Sequence, residues 1–208
     1  MDKLKRRGIL FVLSSPSGAG KTSIARYILD QDKNIKLSVS LTTRKKRKNE
    51  KAGIDYDFIS KDVFETKIKN NYFLEWATVF GNYYGTSREK VQKTLQEGND
   101  VLFDIDWQGT QQLSDNKDFD LVTIFILPPS NTVLEKRLNN RAQDSKIEVI
   151  KRMSQASDEI SHYMEYNYIV INNNLEDASN QVLSILKAER LKRKRLTNLN
   201  EFITFLRS

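Results

Sequence analysis

An apolar run, Gly8-Ile9-Leu10-Phe11-Val12-Leu13, leads into Ser15-Pro16-Ser17-Gly18-Ala19-Gly20-Lys21-Thr22. That octet leads in turn into a stretch with Ile24, Ala25, Ile28 and Leu29 on one helical face. Strand, glycine-rich turn ending in Gly-Lys-Thr, then helix is the context a phosphate-binding loop requires, and it places the chain in the α/β class. Glycines let successive backbone N–H groups point into one concavity, and the helix N-terminus adds partial positive charge. Lys21 then reaches β- and γ-phosphates, and the Thr22 hydroxyl is a ligand for Mg²⁺. Ser15 stands where the pattern has glycine, at a tight turn that serine also adopts. The alternative is a chance glycine-rich turn, against which the flanking strand and helix weigh. The loop specifies a nucleoside triphosphate and leaves the phosphoryl acceptor undetermined.

Composition narrows the classes. The 208 residues suffice for one well-packed domain with inserted lobes. There is no cysteine, which excludes a disulfide framework and a cysteine metal site. The single His162 reads as an ordinary histidine on a helix surface rather than part of a metal centre or a triad. A net charge of +7 favours polyanionic ligands: nucleotides, nucleic acid or an anionic membrane. Lys3, Lys5, Arg6 and Arg7 before the first apolar run superficially resemble a signal peptide. That run is too short, and no small-residue cleavage site follows it. No apolar stretch approaches the ~20 residues of a membrane span. A cytoplasmic protein with no membrane partner is expected.

Five apolar runs read as strands of a mostly parallel sheet flanked by helices: 9–13, 37–41, 101–105, 121–127 and 168–171. An insertion over roughly 42–95 is rich in Tyr, Phe and Gly. It reads as short strands plus a helix near 62–70 capped by Asp62. Thr86-Ser87-Arg88-Glu89 has the form of a capping box that starts another helix at Thr86. Further helices are expected over 131–141, with Arg137 and Arg141 one turn apart, over 146–164, and over 176 to about 195. The last of these ends in Lys192-Arg193-Lys194-Arg195, read as a solvated basic helix end rather than a nucleic-acid patch.

Four clusters bear on the acceptor. Ser38-Val39-Ser40-Leu41-Thr42-Thr43-Arg44-Lys45-Lys46-Arg47 lies at a strand end, where open α/β sheets bind ligands. Its hydroxyls and guanidiniums suit a second phosphate, with a solvated basic loop as the alternative. Glu75 stands in the aromatic stretch Phe73-Leu74-Glu75-Trp76-Ala77, near Tyr83-Tyr84-Gly85-Thr86. A buried carboxylate needs donors, and guanine offers two adjacent ones at N1–H and N2–H₂. The Thr86 hydroxyl matches O6. A structural salt bridge for Glu75 and a helix cap for Thr86 stay open. Val101-Leu102-Phe103-Asp104-Ile105-Asp106 is an apolar strand ending in acids, the form of a segment that helps hold hydrated Mg²⁺. Strand alternation puts Asp104 and Asp106 on one face. Arg137, Arg141 and Arg152 are cations on helices that could close over a transferring phosphoryl group.

Taken in order, these motifs resemble the guanylate kinase family over essentially residues 8–190. They are Pro16-Ser17-Gly18-Ala19-Gly20-Lys21, Ser38 through Arg47 with Glu50 and Asp55-Tyr56, Glu75-Trp76, Gly81-Asn82-Tyr83-Tyr84-Gly85, Asp104-Ile105-Asp106-Trp107-Gln108-Gly109, and Arg137-Leu138-Asn139-Asn140-Arg141. The resemblance implies the P-loop nucleoside monophosphate kinase fold and the reaction ATP + GMP → ADP + GDP with Mg²⁺, in purine metabolism. It implies a core of 8–36, 96–130 and 166–195, a GMP-binding lobe of 37–95, a lid of 131–165 and an extension of 196–208. Residues 15–22 with Asn172 would hold ATP, and Thr22 with Asp104 the metal. Ser40, Arg44, Arg47, Glu50, Tyr56 and Tyr84 would surround the GMP phosphate. Glu75, Thr86 and Asp106 would read guanine. Lys21, Arg44, Arg137, Arg141 and Arg152 would act on the transferring group. Lys46, Asn49, Phe103, Trp107 and Ala142 depart from the family pattern, and none removes a group the chemistry needs. A phosphoprotein-binding scaffold domain and a kinase for another nucleoside monophosphate are the rival readings. The sequence leaves dGMP use, the oligomeric state and the packing of 196–208 open.

Overall fold

The computed structural model describes residues 4–47, 50–79, 81–139 and 146–208, the side chains of 146–148 excepted. Its centre is a five-stranded sheet built from β1 (Leu10–Ser14), β2 (Ile35–Leu37), β7 (Asp100–Asp104), β8 (Leu121–Leu127) and β9 (Tyr168–Ile171). The order is β2-β7-β1-β8-β9, and every pairing is parallel. β1 is buried along its whole length, because helices cover both faces of a parallel sheet. Its odd positions, Phe11 and Leu13 with the preceding Ile9, pack with Ile24 and Ile28 of α1 (Lys21–Gln31) and Val182 and Leu186 of α7 (Leu175–Arg190). Its even positions, Leu10 and Val12, pack with Val91 of α3 (Arg88–Gln96) and Leu113 of α4 (Trp107–Asp115). Period-two alternation thus divides one strand between two cores, each buried side chain contributing about 1.5–3 kcal/mol.

A second sheet, order β4-β3-β6-β5, is formed by β3 (Leu41–Thr42), β4 (Asp57–Phe58), β5 (Phe73–Val79) and β6 (Asn82–Ser87). Phe64 of α2 (Lys61–Lys69) stacks on Phe73 at 4.3 Å between ring centroids, and Leu41 completes that core. Gly85 makes the stack possible, since a Cβ there would lie 2.8 Å from the Phe73 ring. Leu74 points the other way, into the cluster of Leu10 and Val12, and so fastens this sheet to the first. Leu134 and Leu138 of α5 (Asn131–Asn139) pack with Val149 and Ala156 of α6 (Lys146–Ser161).

The structure corrects several expected elements. The single strand over 37–41 is two short strands in different sheets. Ser38 N–H still bonds to Leu102 O of the first sheet, and Ser40 O already accepts from Asp57 N–H of the second. Ser60, not Asp62, caps α2 by accepting from Val63 N–H, and Asp62 instead sits in the first turn, where it favours the helix dipole. Ser87, not Thr86, caps α3, by accepting from Lys90 N–H. The helix over 146–164 ends at Ser161 and passes into a 3₁₀ turn at His162–Glu165. His162 is not a plain surface residue: its ring stacks on Trp107 at 3.8 Å, and its Nδ1 lies 2.6 Å from Glu165.

The largest correction is at the C-terminal end. α7 stops at Arg190, and Arg193–Arg195 forms a separate 3₁₀ turn. Arg195 is 2 % exposed and pairs with Asp120 and Glu189, so the basic run is partly interior. Leu196 bridges to Arg6, and Thr197 N–H bonds to Lys5 O, which ties the two ends of the chain together. α8 (Leu199–Arg207) follows and has no buried residue.

Candidate active site

The carboxyl ends of β1 and β7 and the second sheet frame one cleft of about 390 Å³. At one end lies the loop between β1 and α1. Gly18 and Gly20 adopt φ of +93° and +99°, where only glycine is unstrained. Gly20 occupies the N-cap of α1 and brings no side-chain cap, so the first N–H groups of that helix are left for an anion. A Cβ on Gly20 would also lie 2.3 Å from Asn172 Nδ2. That amide donates to Ala19 O at 2.7 Å and braces the loop from β9's end. Arg137 braces it as well, donating to Asn172 O at 2.9 Å and to Ala19 O at 3.4 Å.

Lys21 Nζ lies 2.7 Å from Asp104 Oδ1 and donates to Ile105 O at 2.8 Å. Thr22 Oγ1 donates to Asp104 Oδ2 at 3.1 Å. The Thr22 hydroxyl and the Asp104 carboxylate form an all-oxygen donor pair. Among the described residues no group of three or more His, Cys, Asp and Glu could hold an ion unaided. Such a pair fits Mg²⁺, which keeps its waters and leans on substrate phosphates. Asp106 reaches the cleft by a different route from the one expected. β7 ends at Asp104, and Asp106 is the N-cap of α4, its Oδ1 accepting from Gly109 N–H at 3.0 Å.

The middle of the cleft is cationic and aromatic. Arg44 forms a two-pronged pair with Glu50, at 2.7 and 3.1 Å, and donates from Nε to the Tyr84 hydroxyl at 3.1 Å. Its guanidinium also lies 5.3 Å from the centre of the Tyr56 ring. The bond from Arg44 holds the Glu50 carboxyl below the usual carboxylate range. The same bond raises Arg44, and burial raises Tyr56. Arg47 and Ser40 line the same wall. Ser40 Oγ lies 3.5 Å from Thr86 Oγ1, and Ser38 Oγ lies 3.1 Å from it.

Glu75 forms the far end. It is 4 % exposed, and its Oε1 has no hydrogen-bond partner. Burial pushes its carboxyl up to about 7; Thr86 pulls it down and the nearby Asp106 raises it further. Among the described residues Glu75 makes no salt bridge, which was the alternative reading of it. An unpartnered carboxylate oxygen in a buried wall is costly unless a ligand supplies the donor.

Most of the expected site residues meet in this cleft. Thr86 touches it through Ser40, while Ala19, Arg137 and Asn172 stand behind the loop. Arg141 lies outside the described residues, as do Asn49 and Ala142. Arg152 of α6 lines the cleft. Sequence reasoning missed Glu159 on the same helix, whose Oε2 accepts from Ser17 N–H at 3.0 Å. Its spacing of seven residues from Arg152, two helical turns, was the available signal. Burial raises the Glu159 carboxyl, against a lowering by Ser17 N–H and Lys21.

Residues 7–189 match the family model described as guanylate kinase. The chain is similar to the guanylate kinase of Nitrobacter hamburgensis, 54% identical over 202 residues that cover 97% of this chain and 92% of the relative. It is similar to that of Paramagnetospirillum magneticum, 52% identical over 207 residues that cover 100% of this chain and 97% of the relative. Among solved structures it resembles the guanylate kinase of Anaplasma phagocytophilum, with a TM-score of 0.81 at 36% identity, over 97% of this chain and 96% of the other.

Proposed function

We propose that this chain, which belongs to the guanylate kinase family and transfers a phosphoryl group from ATP to GMP, divides this cleft into a donor half at 15–22 and an acceptor half closed by Glu75. ATP lies with its β- and γ-phosphates on the backbone N–H groups of the loop and on Lys21. Asn172 and Arg137 hold that loop in shape, and Asn172 borders the adenine. The GMP phosphate lies against Arg44, Arg47, Tyr56 and Tyr84, with Glu50 orienting Arg44. Ser40 borders that phosphate, and Thr86 and Asp106 complete the guanine wall.

Glu75 Oε1 carries the reading. Guanine N1–H and N2–H₂ supply the donors that the buried carboxylate lacks, and adenine does not. The acceptor phosphate is largely dianionic near neutral pH, since its second pKa is about 6, so it attacks without a strong general base. Catalysis is then positioning and charge stabilisation. Lys21 and Arg152, which line the cleft, neutralise charge on the transferring group together with Arg141, while Arg137 acts on the loop from behind. Thr22 and Asp104 would hold Mg²⁺, and the chemistry such an ion supplies is neutralisation of the triphosphate oxygens. dGMP is an acceptor on the same reading, because the groups above contact base and phosphate.

A coupled assay tests the acceptor half. Glu75→Gln replaces one acceptor oxygen with a donor and should raise KM for GMP by roughly a hundredfold while leaving KM for ATP near wild type. Unchanged GMP kinetics would remove Glu75 from base reading. Turnover with AMP or UMP equal to that with GMP would sink the acceptor assignment.

A further inference from the structure

Glu75 sits at an irregularity in its strand. Phe73 pairs with Ser87 and Glu75 with Thr86, so Leu74 is the extra residue of a bulge. The bulge sends Leu74 into the core and Glu75 into the cleft. β5 is also the edge of its sheet, so no further strand holds the next peptide. Gln112 of α4 takes that place. Its Oε1 accepts from Trp76 N–H at 3.0 Å, and its Nε2 donates to Trp76 O at 2.6 Å. One side-chain amide thus completes both backbone bonds of the residue that follows Glu75.

One turn earlier on the same helix, Gly109 faces the carboxylate itself. A Cβ at Gly109 would lie 3.0 Å from Glu75 Oε2 and 3.2 Å from Ile105 Cδ1. Both contacts are tighter than packed side chains ordinarily show, so a methyl group there displaces the carboxylate or the helix. Gly109 N–H also donates to Asp106 Oδ1, so one helical turn sets both acidic groups at the guanine end.

We propose that Gly109 and Gln112 are positioning residues for guanine selection: Gln112 fixes β5 at the height of Glu75, and Gly109 leaves the space its Oε2 occupies. The proposal rests on the reading of Glu75 as the group that binds guanine N1–H and N2–H₂. IMP is the matched probe, because its base keeps N1–H and lacks the 2-amino group. A misplaced carboxylate loses the second contact first, so the preference for GMP over IMP shrinks as Glu75 moves.

The test sets Gly109→Ala, Gln112→Met and Glu75→Gln beside the wild type, with GMP and IMP as acceptors and thermal unfolding as the stability readout. Gly109→Ala and Gln112→Met should each raise KM for GMP about tenfold, because displacements of well under 1 Å at a binding group already cost rate and affinity. They should narrow the GMP-to-IMP preference and leave kcat at saturating GMP and KM for ATP unchanged, and the Tm of each variant separates a moved carboxylate from a loosened fold. Gln112 is exposed, so its replacement leaves the core intact and keeps the test open should Gly109→Ala fold poorly. Unchanged KM and unchanged preference in both variants, with Glu75→Gln impaired, would overturn the proposal and leave the Glu75 reading standing. Unchanged kinetics in Glu75→Gln itself would overturn the reading beneath it.

Discussion

Burial leaves the Glu75 carboxyl protonated to about pH 7 in the folded chain, against 4.5 for an unperturbed glutamate. The folded state therefore holds a proton that the unfolded state has released between those values. Stability falls as pH rises through that window, by on the order of 3 kcal/mol, and is flat above it. Glu75→Gln lacks the titration, so its Tm relative to wild type should climb from pH 5 to 7 and then level off; thermal unfolding at a series of pH values checks this. A second residue-scale prediction concerns Gly20. Its φ of +99° and the 2.3 Å approach of Asn172 Nδ2 leave no place for a methyl group. Gly20→Ala should cost roughly 1–3 kcal/mol in denaturant unfolding and raise KM for ATP more than KM for GMP. The need for glycine at 20 was legible in the sequence, and the partner that enforces it was not, since Asn172 is brought in from the far end of the chain.

Among the elements, the strands at 121–127 and 168–171 emerged with their expected bounds, because each is a clean apolar run ended by polar residues. The stretch from 35 to 42 did not, because hydrophobicity carries no mark of a chain that changes sheets between Ser38 and Ser40. Helix starts were misplaced by one or two residues where two hydroxyl or acidic residues competed for one cap, as at Ser60 and Asp62. The basic run at 192–195 misled for a different reason. Charge alone argues for solvent, and the acids that receive Arg195, Asp120 and Glu189, come from separate elements. This network lies at the N-terminal end of β8, opposite the cleft. Arg195→Met should leave the buried Glu189 carboxylate to Lys192 and Tyr168, and Asp120 to Lys194, so it should cost roughly 1–3 kcal/mol and lower Tm by about 5 °C. Kinetic constants for both nucleotides should not move, and a combined melt and steady-state assay reads both.

At the scale of the molecule, the cleft exists because two sheets of different construction meet along Leu74 and the ends of β1 and β7. The parallel sheet delivers the loop, Lys21 and Asp104; the second sheet delivers Arg44, Tyr84 and Glu75. The motifs were legible one by one, while their closure into one cleft depends on contacts between segments distant in sequence. The proposed Mg²⁺ site belongs to this scale, since Thr22 and Asp104 come from α1 and β7. Chelation should abolish turnover, and Asp104→Asn should raise the Mg²⁺ needed for half-maximal rate on the order of tenfold or more, read by titrating Mg²⁺ into the coupled assay.

The most direct test of the whole account is proton release on GMP binding, measured by calorimetry at about pH 6 in buffers of different ionisation enthalpy. On the proposed reading guanine binds the ionised Glu75 carboxylate, so the wild type should release close to one proton more than Glu75→Gln at saturating GMP, the phosphate's own contribution being common to both. Equal proton release from the two proteins would contradict the account.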